Sequence, residues 1–137
     1  MTRGSSSSLL YLDSSALVKL VVAEPETSAL MEFLKQWPHR VSSVLARVEV
    51  LRAVKRMGAR PAVRRRAARV LARLALVRID DPVLAMAARF APPELRTLDA
   101  IHLATARSLD DLAGVVSYDA RLGRAAARAR LRVWSPV

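Results

Sequence analysis

The sequence predicts an α/β domain in three layers: a central, mostly parallel sheet of four to five strands with helices on both faces. Three observations carry that prediction. Short apolar runs of strand length alternate along the chain with longer stretches whose apolar residues recur at helical spacing. Pro, Gly, Asp and Ser punctuate the joints between them. The 137 residues suit one domain, and 53% hydrophobic with only 4% aromatic residues requires an aliphatic core of Ala, Val and Leu. Strands that alternate with helices form parallel sheets, because each crossover helix must pack back on a face of the sheet.

Residues 1–8, Met1-Thr2-Arg3-Gly4 and four serines, have no apolar segment of signal-peptide length and read as a flexible leader. The single domain is expected over residues 9–137. Leu9-Leu10-Tyr11-Leu12 is a buried strand that ends at Asp13. Ser14 and Ser15 can cap a helix over Ala16–Val22, and Pro25 opens a second helix to about Gln36, broken by Trp37-Pro38-His39. Arg40-Val41-Ser42 is a weak strand. Ser42 or Ser43 then caps a helix that runs to Met57, with Gly58 as its stop. Pro61 starts a helix with the apolar line Val63, Ala67, Val70, Leu71 and Leu74. Leu76–Ile79 is a strand, and Asp80-Asp81-Pro82 caps a helix over Val83–Phe90. After the loop Ala91-Pro92-Pro93, the remaining elements are a strong helix over Leu98–Leu109, a buried strand over Gly114–Ser117, a helix over Ala120–Arg130 and a last strand over Leu131–Trp134.

The chain has no cysteine, which excludes disulfides and thiolate metal sites, and no apolar run long enough to span a membrane. A cytoplasmic protein is the expectation. The formal net charge of +11 favours a polyanionic partner, nucleic acid or an acidic protein. High Arg and Ala usage across a genome would give the same composition.

Four acids stand out. Asp13 and Asp119 each follow a predicted strand, and in parallel sheets ligands bind beyond the carboxyl ends of the strands. Glu49 interrupts an apolar helical stretch, Val48 and Val50–Leu51 around it, and so belongs at the edge of the core. Asp99 opens a helix that is almost wholly apolar behind it and must therefore be central. Each acid also has a plain structural explanation: helix capping for Asp13, Asp99 and Asp119, and a surface pair with Arg52 for Glu49. Together they are more persuasive, since strand topology sends two of them to one edge and the helix-borne pair can reach it.

Clustered carboxylates resist ionising together unless a cation neutralises them. An oxygen-only set suits Mg²⁺ or Mn²⁺, whereas zinc would bring Cys or several His, and this chain has two distant His. Such an ion activates water and clamps the oxygens of a phosphodiester during in-line displacement. A basic surface would hold the rest of the polyanion.

Four segments resemble those of PIN-domain ribonucleases, specifically VapC-type toxins of bacterial toxin–antitoxin pairs. Tyr11-Leu12-Asp13-Ser14-Ser15-Ala16-Leu17-Val18-Lys19 resembles the opening strand and first acid, and Glu49 with its apolar helix the second. Leu98-Asp99-Ala100-Ile101-His102-Leu103-Ala104 resembles the third and most recognisable segment, and Ser117-Tyr118-Asp119 with Arg121-Leu122 the fourth. The similarity spans roughly Leu9–Pro136. It implies a PIN-like fold and Mg²⁺- or Mn²⁺-dependent endonucleolytic cleavage of structured RNA. It also implies a homodimer and inhibition by a cognate VapB-type antitoxin. By this resemblance Asp13, Asp99 and Asp119 bind the metal and Glu49 completes the acidic site. Ser15 matches a small hydroxyl position that could orient a water or an acid, and Ser117 has a weaker claim of the same kind.

His102, a lone His on an apolar helix, reads as a hydrogen-bonded structural residue rather than a general base. Arg64, Arg65, Arg66, Arg69 and Arg73 form one basic band, either a solvated face or a phosphate track. Arg121, Arg124, Arg128 and Arg130 form a second, with Arg121 and Arg124 best placed for substrate near Asp119. Phe33, Leu34 and Trp37 either pack in the core or edge a groove for the antitoxin or a second copy. Two other functions compete. A receiver-like signalling domain would need a Lys after its last strand, and Val133-Trp134-Ser135-Pro136 has none. A catalytically silent RNA- or antitoxin-binding module would have no use for four acids that repel phosphate.

Overall fold

The computed structural model describes residues 9–137; the leader expected over residues 1–8 lies outside the described residues. Within them are five strands and seven helices. The strands β1 (Leu9–Leu12), β2 (His39–Ser43), β3 (Ala75–Val77), β4 (Leu112–Val116) and β5 (Val133–Trp134) form one sheet in the order β3-β2-β1-β4-β5. Every pairing is parallel, so the mostly parallel expectation resolves to a fully parallel sheet of five strands.

Side-chain alternation splits the core between the two faces. Leu10, Leu12 and Val116 point into one layer. There they meet Leu17 and Val21 of α1 (Ser14–Val21), Leu30 and Leu34 of α2 (Thr27–Leu34), Val50 and Val54 of α3 (Leu45–Arg56), and Leu71 of α4 (Pro61–Ala72). Tyr11, Val41 and Val115 point into the other, against Leu103 and Ala106 of α6 (Thr97–Arg107) and Leu122 and Ala125 of α7 (Ala120–Arg128). The remaining helix, α5 (Asp81–Arg89), begins on Asp80, whose carboxylate accepts the Val83 amide as the sequence predicts. Gly58 ends α3 with φ of +63°, a conformation that costs little only without a Cβ.

Several helix starts lie one or two residues from those expected. Of the residues offered as caps for α1, Asp13 serves rather than Ser14 or Ser15: its Oδ1 accepts the Ala16 amide at 3.0 Å. Helix α2 begins at Thr27 rather than Pro25. Lys19 holds Glu24 and Glu26 at 3.0 and 2.9 Å, and the Thr27 hydroxyl donates to the Lys19 carbonyl, so residues 24–26 form a clamped turn. No periodicity rule reports such a cross-link.

The chain order places the site. After β1 it moves outward through β2 and β3, then returns to lay β4 on the opposite side of β1. The junction of β1 and β4 is therefore where the winding direction reverses, the crevice in which open parallel sheets bind ligands. Asp13 leaves β1 at that junction, and Ser117 and Asp119 leave β4 beside it.

Candidate active site

Asp13 is buried to 3% exposure and fully hydrogen-bonded. Ser15 Oγ donates to its Oδ1 at 2.6 Å and Ser117 Oγ to its Oδ2 at 2.6 Å, in addition to the Ala16 amide. Burial still pushes its carboxyl above the ordinary range, with the Ser117, Ser15 and Ala16 bonds only partly opposing it. The two serines tie the segments together. The Tyr118 amide donates to Ser15 Oγ at 2.9 Å and the Asp119 amide to Ser117 Oγ at 3.1 Å, so the loop that carries Asp119 is fixed to the end of β1.

Asp119 caps α7, its Oδ1 accepting the amides of Arg121 and Leu122. Its other oxygen, Oδ2, accepts Arg96 Nη2 at 2.9 Å. The same guanidinium donates through Nε to Asp99 Oδ2 at 3.2 Å. Asp99 is pushed above the ordinary carboxylate range by burial first and by the charge of Asp119 second, against the pull of Arg96. Both acids therefore share a single cation.

Glu49 reaches the cluster from α3 by another route. Its Oε1 accepts the Ser14 hydroxyl and His102 Nε2, the latter at 2.6 Å. Burial raises its carboxyl, but those two partners outweigh it and hold the group below the usual range. His102 is 2% exposed, and its Nδ1 lies 2.6 Å from the Tyr11 hydroxyl. Burial keeps the Tyr11 phenol protonated far beyond neutral pH, so its hydroxyl is able to donate to Nδ1 while Nε2 faces Glu49. The surface pair between Glu49 and Arg52 does not form. His102 is hydrogen-bonded, as its isolation on an apolar helix suggests, but its partner is the candidate acid itself.

All four acids thus converge on the β1–β4 junction, each with at least one oxygen held by a side chain or amide. Among the described residues, no three acidic or histidine side chains close tightly enough to enclose an ion as they stand. The donor set is nevertheless oxygen only, and a guanidinium occupies the place of a cation between Asp99 and Asp119, which is the chemistry a hard divalent ion requires. A cleft of about 650 Å³ opens beside them, lined by Arg96, Asp99, Arg121, Arg124 and Arg128. The first basic band faces elsewhere: Arg66, Arg69 and Arg73 rim an apolar groove between α1, α2 and α4 that Met31 and Leu34 also line. Phe33 and Trp37 pack with Trp134 at centroid distances of 5.4 and 5.5 Å and with each other at 6.2 Å, and so act as core.

Two participants escape a reading of the sequence. Ser14 reads as a cap and instead bonds Glu49. Arg96 left a signal that could be read: a cation at a helix N-terminus opposes the macrodipole and needs another reason to be there.

A family model described as the PIN domain matches residues 10–128. The chain belongs to the PIN-domain family. The Mycobacterium tuberculosis protein named Ribonuclease VapC46 is 49% identical over 128 residues, covering 93% of this chain and 97% of that relative. Ribonuclease VapC47 of the same organism is 40% identical over 119 residues, 83% of this chain and 87% of its own. Within the PIN-domain family, these relatives make the chain VapC-type. Two solved structures share the fold. M. tuberculosis VapC20, a sarcin–ricin loop cleaving toxin, matches with TM-score 0.73 at 16% identity, covering 93% of this chain and 99% of that one. A toxin–antitoxin complex from Klebsiella pneumoniae matches with TM-score 0.70 at 21% identity, covering 93% and 98%. No helix of this PIN domain is long and apolar enough to cross a membrane among the described residues.

Proposed function

We propose that this VapC-type PIN domain is a Mg²⁺- or Mn²⁺-dependent endoribonuclease acting in the cytoplasm as the toxin of a type II toxin–antitoxin pair. Asp13, Asp99 and Asp119 hold the ion and Glu49 completes the acidic site. The observation that carries this reading is the convergence of four carboxylates at the β1–β4 junction, two of them on one shared cation, in a chain of net charge +11. Carboxylates so placed would repel RNA unless a cation stood between them. A divalent ion, when bound, supplies Lewis-acid activation of water and neutralises charge on the phosphoryl oxygens.

The chain's own residues prepare the site. Ser15 and Ser117 fix the rotamer of Asp13, and His102 with Ser14 fixes Oε1 of Glu49. Oε2 of Glu49 has no hydrogen-bond partner among the described residues and is the oxygen left to face a ligand. Arg121 and Arg124, on the cleft wall, hold flanking phosphates without reading sequence.

The partner reading has its own support. The groove between α1, α2 and α4 has an apolar floor and an Arg rim, which fits an apolar segment with acidic flanks, and the occupant proposed for it is a VapB-type antitoxin. Val48 and Leu51 lie exposed on one face of α3, which fits a homodimer; a solution mass near twice 15.0 kDa checks it.

The test of the activity is cleavage of total cellular RNA by purified protein with Mg²⁺, Mn²⁺ or EDTA, beside Asp99→Asn. Discrete fragments that require metal and vanish in the variant are expected. Equal cleavage by the variant would refute the assignment, and absence of cleavage by folded, metal-loaded protein would favour the silent binding module.

A further inference from the structure

Arg96 is the N-cap residue of α6, where a positive charge meets the positive end of the helix dipole. Its guanidinium nevertheless bridges two carboxylates from different elements, Asp99 on α6 and Asp119 before α7. The side chain is 59% exposed, so both pairs are solvent-screened and easily broken. It also lines the cleft that Arg121 and Arg124 line. A charge that is unfavourable where its backbone sits, weakly held where its head sits, and open to the substrate cleft is built to move.

We propose that Arg96 is an internal counter-cation that yields Asp99 and Asp119 to the divalent ion and then joins Arg121 and Arg124 on the RNA phosphate. This role rests on the metal-dependent reading above. The bridge satisfies two like charges while no ion is bound, so they need not repel each other apart. A metal must then compete with the guanidinium for one oxygen of each acid. Once released, the planar fork is free to meet phosphate bidentately. Arg96 therefore opposes metal binding and favours RNA binding, and removal of its charge moves the two affinities in opposite directions. A merely structural role would weaken both.

The experiment compares the full chain with Arg96→Met and Arg96→Lys, checked for equal folding by circular dichroism. Calorimetry measures Mn²⁺ affinity and initial rates give the KM for RNA at saturating Mn²⁺. In Arg96→Met, Mn²⁺ is expected to bind about three- to tenfold more tightly, the scale of losing two exposed pairs. The KM for RNA should rise several-fold, and Arg96→Lys should fall between the two on both readouts. Unchanged or weaker Mn²⁺ binding in Arg96→Met, with the parent binding normally, would overturn the counter-cation role. Tighter Mn²⁺ with an unchanged KM would overturn the phosphate role. Failure of the parent itself to bind Mn²⁺ would overturn the metal-dependent reading, and this proposal with it.

Discussion

Asp13 accepts three hydrogen bonds and is still harder to ionise than a free aspartate, because almost no water reaches it. The native state therefore binds this proton more tightly than the unfolded chain does. Stability must then fall as pH rises from the unfolded Asp value of about 3.9 through the raised native value, since the folded protein holds the extra proton in that window. Asp99 adds in the same direction. Metal-free protein carrying Asp13→Asn should thus be more stable than the parent at pH 8 in EDTA, with the advantage shrinking as the pH approaches 4. The carbonyl of the amide keeps the α1 cap, and its NH₂ can donate to Ser117. Urea titrations at the two pH values check this; a variant that is weaker at pH 8 would show that the hydrogen bonds, not desolvation, dominate. Much at this scale could be read from the chain: the four acids, Ser15 and Ser117 are legible as polar breaks at strand ends and in apolar helices. The partners of Glu49 are not. His102 lies 53 residues from Glu49, and Tyr11, which holds His102, lies 91 residues before that histidine, so no local pattern joins them.

At the scale of the element, β4 depends on a missing side chain. A Cβ on Gly114 would meet the Arg132 carbonyl oxygen at 2.8 Å and the Trp134 ring at 2.5 Å. Trp134 is packed on Phe33 and Trp37 and cannot retreat, and the Arg132 carbonyl already accepts the Val115 amide at 2.8 Å. Gly114→Ala should cost about 1–3 kcal/mol, the usual penalty for overpacking, and lower the melting temperature accordingly. A thermal melt within a degree of the parent would show that β5 simply shifts. Long periodic helices and β1 are legible because burial on both faces writes a continuous apolar run, whereas β4 begins two residues before its expected start and ends one before its expected end. The edge strands are not: β3 begins one residue before its expected start and ends two before its expected end, and β5 keeps only its last two residues. A strand paired on one side is set by its neighbour's register more than by its own sequence. The start of α2 is hidden for a similar reason, since the Lys19 clamp lies on another helix.

For the molecule as a whole, charge sets how the domain meets a polyanion. Each phosphate contact releases counterions, so RNA affinity should fall linearly on logarithmic axes as salt rises. Paired replacement of Arg121 and Arg124 by Ala should lower that slope by about two, one for each lost phosphate contact. Filter binding over a salt series measures it, and an unchanged slope would move the RNA track to another face. The fold class was readable because alternation of strand and helix leaves few solutions; the strand order was not, because register and neighbour choice are long-range facts. That order has a temporal consequence. The strand that leads to Asp13 emerges first, while Ser117 and Asp119 follow the fourth strand, more than a hundred residues later. A growing polypeptide therefore holds its first strand without one neighbour, and Asp13 without Ser117, until the fourth strand has been made. On the proposed reading, the nuclease has no complete acidic site until the segment that follows its fourth strand has been made.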